Sequence, residues 1–179
     1  MLENNINWVI SMVYEFNIRE RTLEDSKMFL EFINQLDIEA EYMLFEEGER
    51  NATLESIRKN TVKTIEDGDI CYIAIYNNKI VGFIIAVKDR FIRTKHIATL
   101  VLGVLEEFQS LGLGSILLTK TINCASEKGI VKLELTVVKN NKKAIALYKK
   151  HGFVKEGLRK KSMLKDNIFY DDYYMAKFL

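Results

Sequence analysis

The tightest constraint on this chain lies between Ala98 and Lys120. A run apolar but for Thr99, Ala98 to Val104, leads through Gln109-Ser110-Leu111-Gly112-Leu113-Gly114 into Ser115-Ile116-Leu117-Leu118-Thr119-Lys120, whose apolar positions recur at helical spacing. The order is strand, glycine turn, helix. Without Cβ atoms at Gly112 and Gly114 the backbone can turn tightly and approach a ligand, and the first helical N–H groups are left unpaired. Such a terminus suits an anion. The helix dipole contributes ~0.3–1 kcal/mol per charge at exposed positions and up to ~2 when partly buried, so a pyrophosphate fits it better than a single carboxylate. The spacing is not G-x-G-x-x-G, no Gly-Lys-Ser/Thr follows, and the unit lies past the middle of the chain, which argues against dinucleotide and P-loop sites. On these residues alone, an anion site and a pair of glycines that merely shape a turn both stand.

A second stretch, Leu133 to Phe153, carries Asn141, Ala144, Leu147, Tyr148, Gly152 and Phe153. With Val104, Glu107, Gln109, Gly112 and Gly114 upstream, these residues fill every anchor of V-x-x-E-x-R/Q-x-x-G-x-G/A followed by N-x-x-A-x-x-L-Y-x-x-x-G-F. In this the chain resembles the GNAT superfamily of acyl-CoA-dependent N-acyltransferases. At lower specificity the resemblance runs from about Glu15 to the C-terminus.

With 179 residues, 48% of them apolar, the chain can bury roughly 70% of the surface its unfolded form exposes. No linker, repeat, low-complexity tract or proline interrupts it, so residues 1–179 read as one α+β domain, with 1–13 an extension of unassigned role. Lys plus Arg number 26 against 25 Asp plus Glu, a net charge of +1, so no global field recruits nucleic acid or an acidic membrane. Nothing apolar is long enough to span a bilayer. Cys71 and Cys124 lack metal spacing and read as buried thiols, which fits a reducing, cytoplasmic setting without a bound metal.

In chain order, Tyr14 to Arg21 alternates like a half-buried strand, and Leu23 to Leu36 carries an apolar helical face behind a Thr22 cap. An acidic connection, 37–51, leads to a second capped helix from Thr53 to about Glu66. Ile70 to Tyr76 and Lys79 to Lys88 are strands joined at Asn77-Asn78, a pair that tolerates the positive φ of a tight hairpin. The fourth strand is His96 to Val104, the third helix about Gly112 to Lys128, the fifth strand Lys132 to Val138 and the fourth helix Asn141 to His151. Phe153 to Met163 and Ile168 to Phe178 pair around Lys165-Asp166-Asn167. The resemblance implies a mixed, mostly antiparallel sheet of about six to seven strands with about four helices on its two faces. It also implies that the fourth and fifth strands splay near Val104 to admit acetyl-CoA.

Carried over position by position, the resemblance implies that Leu102, Gly103 and Val104 meet the pantetheine arm and thioester through the backbone. Gln109, Ser110, Leu111, Gly112, Leu113, Gly114 and Ser115 would cradle the pyrophosphate, Gln109 standing where the family more often has Arg. Asn141 and Ala144 would border the pantetheine, Asn141 also being a natural helix cap. Tyr148 is the expected general acid: a phenol stays protonated at neutral pH and can give its proton to a departing thiolate. Asn141 and Tyr148 are seven residues apart, so both lie on one helix face.

The base stays open among a glutamate, His96 and a water chain. His96 sits eight residues before Val104, roughly 26 Å away at ~3.3 Å per residue, which fits a structural or acceptor-rim histidine. Glu134 is a base candidate or a cross-strand partner, and Glu107 a turn residue. The segment between the first two helices walls the acceptor site in resembling proteins, so Glu39, Glu41, Glu46, Glu47 and Glu49 are candidates there, with Glu41 and Glu49 chosen for amine binding. The lysines at 139, 142, 143, 149 and 150 read as a solvated face or as help for the phosphates of CoA.

The resulting expectation is transfer of an acetyl group from acetyl-CoA to a primary amine of a small molecule. A protein N-terminal or lysine acetyltransferase and an inactive CoA sensor are the alternatives. A homodimer through the aromatic C-terminal strands is a further possibility.

Overall fold

The computed structural model describes residues 15–179; the expected extension 1–13 and the start of the first expected strand, Tyr14, lie outside the described residues. Seven strands form one sheet: β1 Asn17–Glu20, β2 Ile70–Tyr76, β3 Lys79–Lys88, β4 Ile97–Val104, β5 Lys132–Val138, β6 Val154–Lys165 and β7 Ile168–Phe178. Their order is β1-β2-β3-β4-β5-β7-β6, and every neighbouring pair is antiparallel except β4–β5. Four described helices cover the two faces: α1 Ser26–Glu39, α2 Leu54–Glu66, α3 Leu113–Glu127 and α4 Lys142–Lys150. This is the mixed, mostly antiparallel architecture expected from the sequence.

The core divides by face. Leu113, Leu117, Leu118, Ile145 and Tyr148 of α3 and α4 pack with Leu100, Leu133, Leu135 and Met175 on one side of the sheet. Phe29, Phe32, Ile33 and Leu36 of α1, with Ile57 of α2, cover Ile73 and Phe83 on the other. β2 and β3 lie between both layers, which is why each is nearly continuous in apolar residues. Asn77 and Asn78, at φ 48° and 60°, make the expected tight hairpin, and Asp166 and Asn167, at 50° and 60°, make the second.

The first helix starts later than its apolar pattern suggests. Leu23–Asp25 forms a 3₁₀ turn, and the Asp25 carboxylate accepts from the Thr22 N–H at 2.7 Å and from the Arg19 guanidinium at 2.6 and 2.7 Å. Asp25 thus closes a capping box with Thr22 on the 3₁₀ turn, and the helix proper runs from Ser26 to Glu39.

The feature that positions the site is the divergence of β4 from β5. The two pair only at Ile97↔Lys132, Ala98↔Leu133 and Thr99↔Glu134. Beyond Thr99 each strand stays with its outer partner, β4 with β3 as far as Val104 and β5 with β7 as far as Val138. A wedge opens between them toward their C-terminal ends. None of the described helices is long and apolar enough to cross a membrane.

Candidate active site

The wedge widens into a cleft of about 770 Å³. Its floor is the end of β4. Leu105 N–H donates to Val81 O on β3, so strand alternation turns the N–H groups of Leu102 and Val104 the other way, into the gap. Gln109 Nε2 donates to Val104 O at 3.2 Å and ties the turn after β4 to that strand end. Gly103 faces the opposite layer: a Cβ there would lie 2.6 Å from Leu36 Cδ2 and 2.8 Å from Phe83 Cε1, so only glycine lets α1 close onto the sheet at the cleft.

One side of the cleft is the turn leading into α3. Ser110 and Gly112 have φ of 62° and 81°, and Gly112 stands at the helix start. Ser115 and Ile116 donate back to Gly112 O at 3.0 and 3.1 Å. Among the described residues, the N–H groups from Ser110 to Gly114 donate to no backbone carbonyl. They are left at the N-terminus of a 15-residue helix, where its dipole favours negative charge.

α4 forms the facing wall. Asn141 caps it, its Oδ1 accepting from Ala144 N–H at 3.0 Å, which leaves the amide Nδ2 as the donor available to a ligand. Tyr148 lies two turns on, packed against Phe153 at 5.7 Å between ring centroids, and burial pushes its hydroxyl up to about 12. Lys142, Lys143 and Lys150 of the same helix also line the cleft.

The third wall is the connection after α1. Glu39 of α1 joins Glu41, Tyr42 and Met43 as lining residues, with Glu106 opposite. Glu39 Oε1 accepts from Gln35 at 2.6 Å and its Oε2 from Glu106 N–H at 2.7 Å. The connection itself is anchored by Arg50, which grips the buried Asp37 at 2.6 and 2.7 Å and lies 4.1 Å over the Phe45 ring. Tyr42 stands edge-on to Tyr170 of β7, bringing the β6–β7 hairpin to the rim.

Of the residues expected at the site, Leu102, Gly103, Val104, Gln109, Ser110, Gly112, Gly114, Ser115, Asn141, Ala144, Tyr148 and Glu41 line this one cleft. Leu113 is in the core at 1% exposure and Leu111 packs against it, so their side chains point away and only their N–H groups belong to the turn. Three other expected residues, Glu134, His96 and Glu49, do not line the cleft. Glu134 alternates with Leu133 and Leu135, which fill the α3–α4 core, so it projects from the opposite face at the closed end of the β4–β5 pair; there it meets Lys132 at 3.1 Å. His96 is exposed at the start of β4, and its carbonyl accepts from Val131 and Lys132 N–H at 2.9 and 3.1 Å, at the far end of the strand from the cleft. Glu49 turns inward on its own loop, its Oε2 accepting from Glu46 N–H at 3.0 Å, and it does not line the cleft.

Two contributors went unseen in the sequence. Glu106 reaches the acidic end because a 3₁₀ turn, Glu106–Phe108, follows β4. His151 Nε2 lies 2.7 Å from Ser115 Oγ, joining residues 36 apart. Its place just before Gly152-Phe153 was the only available signal.

A family model described as the acetyltransferase (GNAT) family matches residues 30–153. A GNAT-family acetyltransferase structure from Streptococcus pneumoniae superposes with a TM-score of 0.88 at 32% identity, covering 92% of this chain and 100% of that one. The L-amino acid N-acetyltransferase AaaT of Escherichia coli (strain K12) is 32% identical over 106 residues, 59% of this chain and 65% of that protein. The match therefore spans just under two thirds of that curated relative. A ribosomal-protein-alanine N-acetyltransferase from Brucella melitensis is 25% identical with a TM-score of 0.81, covering 91% of this chain and 99% of its own.

Proposed function

Because this chain belongs to the GNAT family of acetyltransferases, we propose that it moves the acetyl group of acetyl-CoA onto a primary amine of a small molecule, by direct attack in a ternary complex. The observation that carries this reading is the meeting, in one cleft, of the unpaired N–H groups of 110–114, the splayed ends of β4 and β5, and the buried face of α4 that bears Tyr148. These features fit the parts of CoA. The N–H groups at the α3 terminus match a diphosphate, and the inward N–H groups of Leu102 and Val104 match an amide-bearing arm and a carbonyl oxygen. Lys142, Lys143 and Lys150 add positive charge nearby.

Bound acetyl-CoA supplies an acyl group already activated as a thioester, so the protein's work is positioning and charge stabilisation. Gln109, Ser110, Gly112, Gly114 and Ser115 hold the diphosphate. Leu102 and Val104 present N–H groups to the carbonyl oxygen, a role in which one lost donor typically costs ~3–4 kcal/mol. Tyr148 keeps its proton at neutral pH and is the donor for the leaving thiolate. Glu41 and Glu106 at the other end draw a cationic amine into the cleft, and its proton leaves through water to this acidic rim. A cytoplasmic setting accords with the two free cysteines, Cys71 and Cys124.

The likeness to a ribosomal-protein-alanine acetyltransferase supports a second reading, in which the acceptor is a peptide N-terminus. Calorimetric titration with acetyl-CoA, paired with a thiol-release screen over amino acids, polyamines, aminoglycosides and short peptides, tests both. Turnover confined to free amines establishes the first reading, and turnover confined to peptides the second. Absence of acetyl-CoA binding defeats both.

A further inference from the structure

Ser115 and His151 come from different elements and meet beside the anion turn. Ser115 stands in the first turn of α3 and lines the cleft. His151 follows α4, where its backbone N–H closes the helix on Leu147 O and Tyr148 O at 3.2 and 3.1 Å and so fixes where the ring begins. Its Nε2 lies 2.7 Å from Ser115 Oγ, and the imidazole is half-buried. We propose that His151 is a positioning residue for the anion site: it holds the Ser115 hydroxyl so that the O–H is donated into the cleft, and it makes acetyl-CoA binding proton-linked. This rests on the reading of residues 109–115 as the diphosphate site.

A serine hydroxyl has one proton and can accept through its oxygen. If Ser115 gives that proton to the imidazole, its lone pairs face the cleft and repel an anion. If Nε2 carries a proton and donates to Oγ, the serine proton is free for a phosphoryl oxygen. A bound anion therefore selects the Nε2–H form and, through its charge, favours the imidazolium, in which Nε2 always donates.

In the free protein three influences oppose the imidazolium. Burial lowers the His151 pKa from its ordinary value, and Lys150 on its own helix and Lys177 on β7 lower it further. Lys177 reaches the same helix end, since a Cβ on Gly152 would lie 3.0 Å from its Nζ. Ser115 of α3 is the polar group facing the ring from the third side. A diphosphate in the turn offsets the two ammonium groups, so the His151 pKa rises on binding. Protons are then taken up, and affinity strengthens as pH falls between the free and bound values. The other histidine, His96, is exposed at the far end of β4.

The test is calorimetry with acetyl-CoA at about pH 6.5, near the ordinary imidazole pKa, in buffers of low and high ionisation enthalpy, on the wild type, His151→Gln and His151→Asn. The heat difference between buffers counts protons taken up, and any contribution from acetyl-CoA's own phosphates is common to all three proteins. The expected result is fewer protons taken up by both variants and a KM for acetyl-CoA raised about tenfold, the effect of one weakened hydrogen bond to a charged group, with kcat little changed. Ser115→Ala should show the same KM rise and Ser115→Thr, which keeps the hydroxyl, should restore it. Thermal melts confirm that each variant is folded, and should the His151 variants fail to fold, the Ser115 pair decides on KM alone. Proton uptake equal in wild type and variants, or a Thr variant no better than Ala, overturns the proposal while the diphosphate site stands. A wild type that does not bind acetyl-CoA brings down the site and the proposal together.

Discussion

Glu39 Oε2 accepts a hydrogen bond from the backbone N–H of Glu106 at 2.7 Å, joining the last residue of α1 to the turn that follows β4, 67 residues on. The carboxylate is held from its other side by Gln35, at 2.6 Å to Oε1. Glu39 therefore sets the width of the cleft where the wall that follows α1 meets the β4 exit. Glu39→Ala should raise the KM for the acceptor more than that for acetyl-CoA. The loss in stability should be about 1 kcal/mol, since the freed N–H is close enough to solvent to be rehydrated. Separate KM measurements for the two substrates and a urea midpoint check this; equal effects on both would mean the junction supports the whole cleft rather than its acceptor end.

Tyr148 separates binding from chemistry. Its ring is buried, and burial pushes its hydroxyl up to about 12, so it carries its proton at neutral pH. Tyr148→Phe removes only the oxygen and keeps the contact with Phe153. Turnover should fall about 10²–10⁴-fold, the usual worth of a positioned general acid, while acetyl-CoA affinity changes little. Single-turnover rates across pH 6–9 for both proteins are the measurement, and an unchanged rate would remove the acid role.

Alkaline pH should destabilise the protein in part through two buried groups, Cys71 and Tyr148. Burial raises the Cys71 thiol from 9.0 to about 11 and the Tyr148 phenol from 10.0 to about 12. Both are neutral when protonated, and the unfolded chain releases its proton first. Their contribution is therefore whole below the unfolded values and is lost as pH rises, through 9–11 for Cys71 and 10–12 for Tyr148. Each two-unit shift corresponds to a few kcal/mol at most, on the order of 3. Urea midpoints of wild type and Cys71→Ala at pH 8 and 10.5 test this: the variant should show the smaller decline, and parallel declines would assign alkaline unfolding to other groups.

The turn and the helix face proposed for the cofactor were legible in the sequence because their signals are local, whereas their assignment to a cofactor came from the family resemblance. Gly112 and Gly114 mark a turn through their lack of Cβ, and Asn141 and Tyr148 share a face through helical period alone. The positions of the strands along the chain were legible for the same reason, since runs such as Ile80 to Ile84 and the asparagine hairpin announce themselves within a few residues. The acceptor end was not. Glu41, Glu46, Glu47 and Glu49 are alike in sequence, and only the fold of the connection puts Glu41 in the cleft and turns Glu49 onto Glu46. That Glu134 lies outside the cleft lining was not legible either, because alternation along β5 says that it faces away from Leu133 and Leu135, but not which residues the cleft gathers. His151 meets Ser115 only because α3 and α4 cover the same face, a contact no spacing encodes.

The cleft wall that follows α1, proposed to receive the acceptor, depends on a partly buried ion pair. Asp37 has a side-chain exposure of 3% and is held at both oxygens by Arg50, whose guanidinium also lies over Phe45. Removing one partner leaves a charge without its counterpart, so Arg50→Ala should cost about 3 kcal/mol, the lower end for such pairs because Arg50 itself is a quarter exposed. Arg50→Lys should rescue little, since an ammonium cannot match the two-pronged geometry or stack on the ring. Proteolytic cutting within 40–50 should accelerate in both variants. If Lys restores wild-type resistance, charge alone holds the wall.

The two acidic residues selected from the sequence for amine binding now separate, and the pair makes a controlled experiment. Glu41 and Glu49 lie eight residues apart on the same exposed connection, carry the same charge, and exert nearly the same long-range field on an approaching cation. Only Glu41 lines the cleft, whereas the Glu49 carboxylate is occupied by the Glu46 N–H at 3.0 Å. If the acceptor is drawn in by local contact, Glu41→Gln should raise its KM about three- to tenfold, the scale of one partly screened charge interaction, and Glu49→Gln should leave it within error. If general attraction by the acidic connection is what matters, both substitutions should raise KM alike, and both effects should vanish in high salt, where fields between exposed charges are screened within a few ångströms. Acceptor KM for the two variants at low and high ionic strength separates these outcomes, and no change for Glu41→Gln in either condition would take the amine away from this wall.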